Sequence, residues 1–251
     1  MARLGASALA AALLVGACGL PGGEPTPPTY AALGDSFSSG DGAGSYDPEP
    51  AGCKRSAFAW PRLIDARVDL RACTGADVQD LAAQIPGQPI TDITLVTITV
   101  GGNDAGFGDI FEACLLAACP SPNDPAFLAR LTSLTSALGD LYGQLETAYP
   151  RARIVHVGYP RLTPPPGDPV GPCLWLPPED QADAAALVDA INGAIVAAVT
   201  ASSTDVQHLD VSDALTYHEL CTPRPWVSLL ARAHPTQAGH QALADAVAGA
   251  L

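Results

Sequence analysis

Three short stretches of this chain set polar residues beside glycine or proline in patterns that can do chemistry. They are Gly34-Asp35-Ser36, Gly101-Gly102-Asn103-Asp104 and His234-Pro235-Thr236. A serine hydroxyl is a weak nucleophile until a base stands within hydrogen-bond reach. Histidine is the side chain suited to take and return that proton near neutral pH. Acyl transfer also needs hydrogen-bond donors aimed at the oxygen of the tetrahedral intermediate, and backbone N–H groups or an asparagine amide can serve. Singly, each stretch has a plainer reading: a capped turn opening a helix, a turn after a strand, a polar residue at a helix start. Together, in this order, they fit one nucleophilic site.

Such a site needs elements that bring distant residues to one edge. Thr29 to Leu33 reads as a short strand ending at Gly34. Ile93 to Val100 is β-branched and apolar on both faces, as in a buried parallel sheet, and stops at Gly101-Gly102. Leu70 to Cys73, Arg153 to Val157 and Val206 to Val211 read as further strands. A helix is predicted over Phe58 to Val68, and a turn or two over Asp77 to Gln84. Asn123-Asp124-Pro125 opens another, whose Leu128, Leu131, Leu134, Leu138, Leu141 and Leu145 keep helical spacing and form core. Glu179 to Val199 and Thr236 to Leu251 complete the set, after a proline-rich loop from Tyr159 to Pro178. Strands alternating with helices imply one three-layer α/β/α sandwich on a parallel sheet of about five strands. In that architecture sites lie at the carboxyl ends of strands, where the three stretches fall.

The set resembles the SGNH, or GDSL-type, hydrolases. Gly34-Asp35-Ser36 stands in the first loop, GGND follows a buried strand, and HPTxxGH (His234 to His240) opens the last helix. The resemblance runs from about Thr29 to Leu251 and implies a flavodoxin-like α/β/α domain over 29–251. It implies Ser36 as nucleophile, His234 as base, and an oxyanion hole of the Ser36 N–H, the Gly75 N–H and the Asn103 amide. It implies no metal and no cofactor. One departure stands out. The family usually has Asp three residues before the histidine, and here that residue is Ala231. A Ser36–His234 dyad is therefore expected, with a backbone carbonyl near Ala231 receiving the Nδ1 proton. Asp213 is the alternative carboxylate. His240 is expected to bond within the last helix, and Asp35, Asp41 and Asp47 to be turn and solvent-facing residues.

Composition narrows the setting. Twelve Lys+Arg stand against 26 Asp+Glu, for a net charge of −14, so no basic nucleic-acid footprint exists. Met1 to Ala17 has a positive start at Arg3 and an apolar run from Ala6 to Val15 too short to span a bilayer. It closes on Val15-Gly16-Ala17-Cys18, which resembles the lipobox of bacterial lipoproteins. That resemblance implies a signal peptide at 1–17, lipid attachment at Cys18, and an exported protein anchored to a membrane. An ordinary secretory signal is the alternative. Residues 18–28 read as a Pro/Gly-rich tether, and no other stretch reads as a membrane span.

Export permits disulfides. Cys53, Cys73, Cys114, Cys119, Cys173 and Cys221 allow fifteen pairings. Sequential pairing is the simplest, and it is the layout of the secreted actinobacterial lipases and esterases that the chain resembles. Metal ligation is the weaker reading, since no cysteine pair or Cys/His cluster has zinc spacing. The whole predicts a monomeric serine esterase or lipase acting on an ester or lipid substrate. A polysaccharide deacetylase or phospholipase is the neighbouring reading. A ligand-binding lipoprotein without turnover is the reading from another class, and the intact Ser36, Gly75, Asn103 and His234 set argues against it.

Overall fold

The computed structural model describes residues 29–165, 173 and 175–251. The expected signal segment, Cys18 and the tether lie outside them. The chain runs through β1 (Tyr30–Gly34), α1 (Ser36–Ser39), α2 (Trp60–Ile64), β2 (Asp69–Leu70), β3 (Leu95–Thr99) and α3 (Phe107–Leu116). It continues through α4 (Pro125–Ala148), β4 (Arg153–Val157), α5 (Pro178–Ala201), β5 (Val206–Leu209), β6 (Val227–Ser228), β7 (His234–Pro235) and α6 (Gln237–Ala250).

β1 to β5 form one wholly parallel sheet in the order β2-β1-β3-β4-β5. The expected three-layer sandwich is present. α4 and α5 pack together on one face, and α2 and α6 on the other. From β1 the chain moves to one side of the sheet and then returns to build the other. A crevice must open at the carboxyl ends of β1 and β3, where those directions diverge. Gly34 pairs with Thr99, so the two strands end level. At Gly34, φ is +130° and a Cβ would stand 2.3 Å from the Thr99 carbonyl oxygen, so only glycine fits.

Packing follows the apolar periodicity. Leu134, Leu138, Leu141 and Leu145 of α4 are buried against Val96, Ile98 and Ile154 of the sheet. Burying each such leucine contributes about 1.5–3 kcal/mol. Leu128, expected in this stripe, is 45% exposed, because the buried face begins at Phe127 and continues through Leu131 and Leu134, which turns Leu128 away from it. Asp124 caps α4 by accepting from the N–H groups of Ala126 and Phe127, with Pro125 in the first turn. Contrary to the expectation of no further span, α5 is long and apolar enough to cross a membrane. Here Leu187, Ile191 and Ile195 bury one of its faces in the core.

Other boundaries differ from expectation. The helix predicted over Phe58 to Val68 is only Trp60–Ile64, because Asp65 takes extended backbone. The strand expected at Leu70 to Cys73 is Asp69–Leu70, and the turns at Asp77 to Gln84 are a 3-10 segment, Asp80–Ala83. α3 was not foreseen: its N-terminal flank, Gly106, is left-handed and offers no side-chain cap. Nor was the β6–β7 hairpin, which pairs Ser228 with His234. The disulfides join Cys53 to Cys73, Cys114 to Cys119 and Cys173 to Cys221.

Candidate active site

The turn after β1 is built by Asp35. Its N–H donates to the Thr99 carbonyl at 2.9 Å, and its side chain accepts from the Phe37 N–H at 2.9 Å. That bond caps α1, a single helical turn closed by left-handed Gly40. Ser36 is thus the first residue of a helix, where an N–H has no partner inside the helix. Its Oγ lies 2.6 Å from His234 Nε2.

His234 arrives from the far end of the chain on β7. The turn from β6 places Arg232 and Ala233 in left-handed backbone, at φ +52° and +59°. It folds the Ala231 carbonyl back to within 2.5 Å of His234 Nδ1. A carbonyl can only accept, so Nδ1 carries the hydrogen and Nε2 is left to accept from Ser36. Burial lowers the pKa of His234, opposed by the Ala231 carbonyl and the negative charge of Asp41. The ring is therefore a free base at neutral pH. Asp213 instead pairs with Arg161 at 2.5 Å on the surface, so the alternative carboxylate is engaged elsewhere.

Gly75 and Asn103 complete the constellation, and both line one cleft with Ser36 and His234. Gly75 has φ +82°, yet a Cβ there would meet no atom within 4 Å. Its backbone conformation favours glycine, whereas protein crowding does not. Among the described residues, no acceptor meets its N–H. Asn103 Nδ2 donates one hydrogen to the Ala76 carbonyl at 2.9 Å, which fixes the amide and leaves its second hydrogen for the cleft.

Several supports escaped the sequence reading. Asp41 is buried, not solvent-facing. It takes Lys54 Nζ at 2.9 and 3.1 Å and the Thr74 hydroxyl at 2.8 Å, tying the serine loop to the Gly75 loop. Burial would raise its pKa, but the Lys54 hydrogen bond and the nearby His234 hold it below the usual carboxylate range. Asp35 is also buried, and burial pushes its pKa up to about 7 against the bonds from Tyr159 and Phe37. Asp47 pairs with Arg62 at 2.6 Å. His240 does not bond within its helix. Its Nε2 stands 3.4 Å from the Asp41 carbonyl oxygen. Tyr159 follows β4, so the strand-end rule that pointed to Ser36 and Asn103 points to it too.

The arrangement can therefore deprotonate a serine, receive an oxyanion and return the proton. Two of the disulfides stand close by. Cys53–Cys73 anchors the segment before Gly75, and Cys114 lines an apolar compartment beside the cleft.

Comparisons with known proteins identify the family. The model of the GDSL-like Lipase/Acylhydrolase family matches residues 32–242. A lipase of Streptomyces rimosus is 36% identical over 211 residues, 79% of this chain and 75% of that protein. The crystal structure of an extracellular lipase from Streptomyces rimosus is similar with TM-score 0.73 and 32% identity, over 88% of this chain and 99% of that one. The structure of phospholipase A1 from Streptomyces albidoflavus NA297 gives 0.72 and 30%, over 88% and 98%.

Proposed function

Since the chain belongs to the GDSL-like lipase/acylhydrolase family and is an ester hydrolase, we propose that it cleaves carboxylic esters through a Ser36–His234 dyad. The observation that carries this reading is the continuous line from Ser36 Oγ to His234 Nε2 and from Nδ1 to the Ala231 carbonyl. Ser36 Oγ attacks the ester carbon as its proton passes to Nε2. The imidazolium that forms is steadied by the Ala231 carbonyl and by the charge of Asp41. The carbonyl oxygen, now an oxyanion, takes hydrogen bonds from the Ser36 N–H, the Gly75 N–H and the Asn103 amide. Collapse breaks the ester C–O bond, and the alcohol oxygen leaves with the Nε2 proton. Water then repeats the sequence on the acyl-Ser36 ester and frees the acid. No step calls on a metal or cofactor.

The test is turnover of p-nitrophenyl esters by the purified domain beside its Ser36→Ala variant. Turnover that Ser36→Ala abolishes supports the reading. Silence across short and long acyl chains favours a binding module instead.

The same reading places the enzyme outside the cytoplasm as a monomer. Residues 1–17 act as a lipoprotein signal peptide, Cys18 carries the lipid, and 18–28 tether the hydrolase domain of 29–251 to the membrane. An extracellular lipase among the similar structures supports export. Mass spectrometry of the mature N-terminus checks the anchor: an acylated Cys18 peptide is expected, and an unmodified terminus at another residue overturns it.

A further inference from the structure

The loop at Thr74 and Gly75 borders two separate spaces. One is the catalytic cleft of Ser36 and His234. The other is an open pocket of about 520 Å³ that reaches neither of those residues. Its apolar wall is the Cys53–Cys73 disulfide with Ala76 and Ala83, and Arg55 and Arg71 line it as well. Gln84 forms another part of the wall. The Gln84 side chain clamps Gly34, accepting its N–H at 2.8 Å and donating to its carbonyl at 2.9 Å. The pocket is therefore built on the supports of the Ser36 turn and of the Gly75 loop, without being part of the cleft.

Both guanidinium groups are pinned in place with hydrogens to spare. Arg55 donates from Nε to the Ala72 carbonyl at 2.9 Å and from Nη2 to the Arg71 carbonyl at 2.7 Å. Arg71 donates from Nε to Asp69 at 2.7 Å and from Nη1 to the Gln84 carbonyl at 3.1 Å. Among the described residues, Arg55 Nη1 and Arg71 Nη2 meet no acceptor, and Arg55 forms no ion pair. Burial lowers the pKa of Arg55, opposed by the charge of Asp47. A partly buried guanidinium without a carboxylate beside it costs free energy that a bound anion recovers. Asp80 is the one acid among the lining residues, and it is exposed at the rim.

We infer that this pocket is a second binding site, distinct from the catalytic cleft, and that it takes a small organic carboxylate. Two fixed guanidinium edges suit the planar, two-oxygen geometry of a carboxylate. The disulfide and the two alanines suit a short alkyl chain, which an inorganic anion lacks. Ester cleavage releases acids of this class. That last match rests on the esterase reading above, whereas the pocket itself does not. A carboxylate held there bridges Arg55 to Arg71 and so ties the segment before the Ser36 support to the segment that carries Gly75.

The test is calorimetric titration with sodium butyrate at constant ionic strength, on enzyme whose Ser36 has been capped with diethyl p-nitrophenyl phosphate. Saturable binding is expected, unchanged by the cap. Arg55→Gln should weaken it by about tenfold or more. Arg55 also holds the Arg71 and Ala72 carbonyls, so a second variant keeps the result clear of misfolding. Ala83→Glu, at an exposed position, sets a tethered carboxylate among the arginines and should abolish butyrate binding. Butyrate should also raise the thermal midpoint of the wild type and leave that of Ala83→Glu unmoved. Binding that the cap abolishes would assign the acid to the catalytic cleft and overturn the second site. Binding that Ala83→Glu leaves intact, or inorganic phosphate that binds more tightly than butyrate, overturns it too. If Ser36 does not accept the cap, the esterase reading falls, and the Arg55 and Ala83 variants still decide the pocket.

Discussion

Tyr159 donates its hydroxyl hydrogen to Asp35, 2.5 Å away, and the same oxygen accepts the Gly102 N–H at 2.9 Å. One buried hydroxyl thereby joins the turn that carries Ser36 to the loop that carries Asn103. Asp35 in turn caps α1, so the nucleophile and an oxyanion donor are set relative to each other through a single ring. Phe37 packs edge-on against that ring with centroids 5.2 Å apart, which seals the contact from water.

Tyr159→Phe tests that linkage. It keeps the ring but leaves the Gly102 N–H and an Asp35 oxygen unpartnered in a dry site. A stability loss of about 1–3 kcal/mol is expected by chemical denaturation. kcat should fall more than KM rises, since Asn103 loses its register with Ser36. Unchanged kcat in a destabilised variant would show that the bond only holds the fold.

The Ala231 carbonyl takes the place of a carboxylate beside His234. Ser36→Ala and His234→Ala are each expected to lower kcat by about 10³-fold or more. Asp213→Ala, whose carboxylate faces Arg161, should change kcat by less than about twofold. Equal losses in Asp213→Ala and His234→Ala would sink the dyad.

Activity should persist into mild acid. The reaction needs His234 unprotonated, and burial lowers its pKa. The acid limb of kcat/KM therefore falls below the ordinary histidine value of about 6.5. The negative charge of Asp41 favours the imidazolium and so pulls the other way. Asp41→Asn should move the limb to still lower pH and reduce kcat by about tenfold, because the imidazolium loses support as it forms. A limb that rises in this variant would contradict that role.

Stability should fall as pH drops from about 6.5 towards 4. Burial holds His156 down to about 3 and His240 down to about 4. In that window the unfolded chain binds two protons at these positions and the folded chain does not. Asp35, pushed up to about 7, binds a proton in the folded state first and offsets one of the two. Counting these three groups the slope is about one proton, or about 1.4 kcal/mol per pH unit, and His234 and His208, also lowered by burial, steepen it. Denaturant midpoints at pH 7, 6 and 5 measure it, and stability that rises on acidification would refute it.

The Cys53–Cys73 disulfide closes a separation of 20 residues, and the Cys53 carbonyl also accepts the Thr74 N–H at 3.1 Å. Replacing both cysteines with serine should cost about 2–4 kcal/mol. It should also lower kcat, because Gly75 stands two residues beyond Cys73. Thermal melts and initial rates check both parts. Full activity in the double variant would remove the disulfide from the site's support.

Much of this was legible in local pattern. Ile93 to Val100 could only be a buried strand, because β-branched apolar residues on both faces leave no side for water. Glycines at its end, and at the end of the first strand, marked where loops could carry Ser36 and Asn103. The leucine spacing of α4 marked its buried face from Leu131 onward. α3 was not legible, since a helix without a cap and flanked by glycine shares its local signature with a loop.

The sequence by itself determined the strand order in time, the apolar faces and the residue types at the strand ends. These depend on neighbours within a few positions, where sterics and periodicity act. The tertiary structure alone decided burial and partnership. Asp35 and Asp41 read as loop carboxylates, and only packing across 124 residues to Tyr159 and 13 to Lys54 makes them buried supports. His240 looked local to its helix until its ring met the Asp41 carbonyl 199 residues away. The carbonyl that orients His234 is backbone, which no side-chain motif can announce. Its direction comes from a left-handed turn that ordinary residues adopt only when the surrounding fold holds them there.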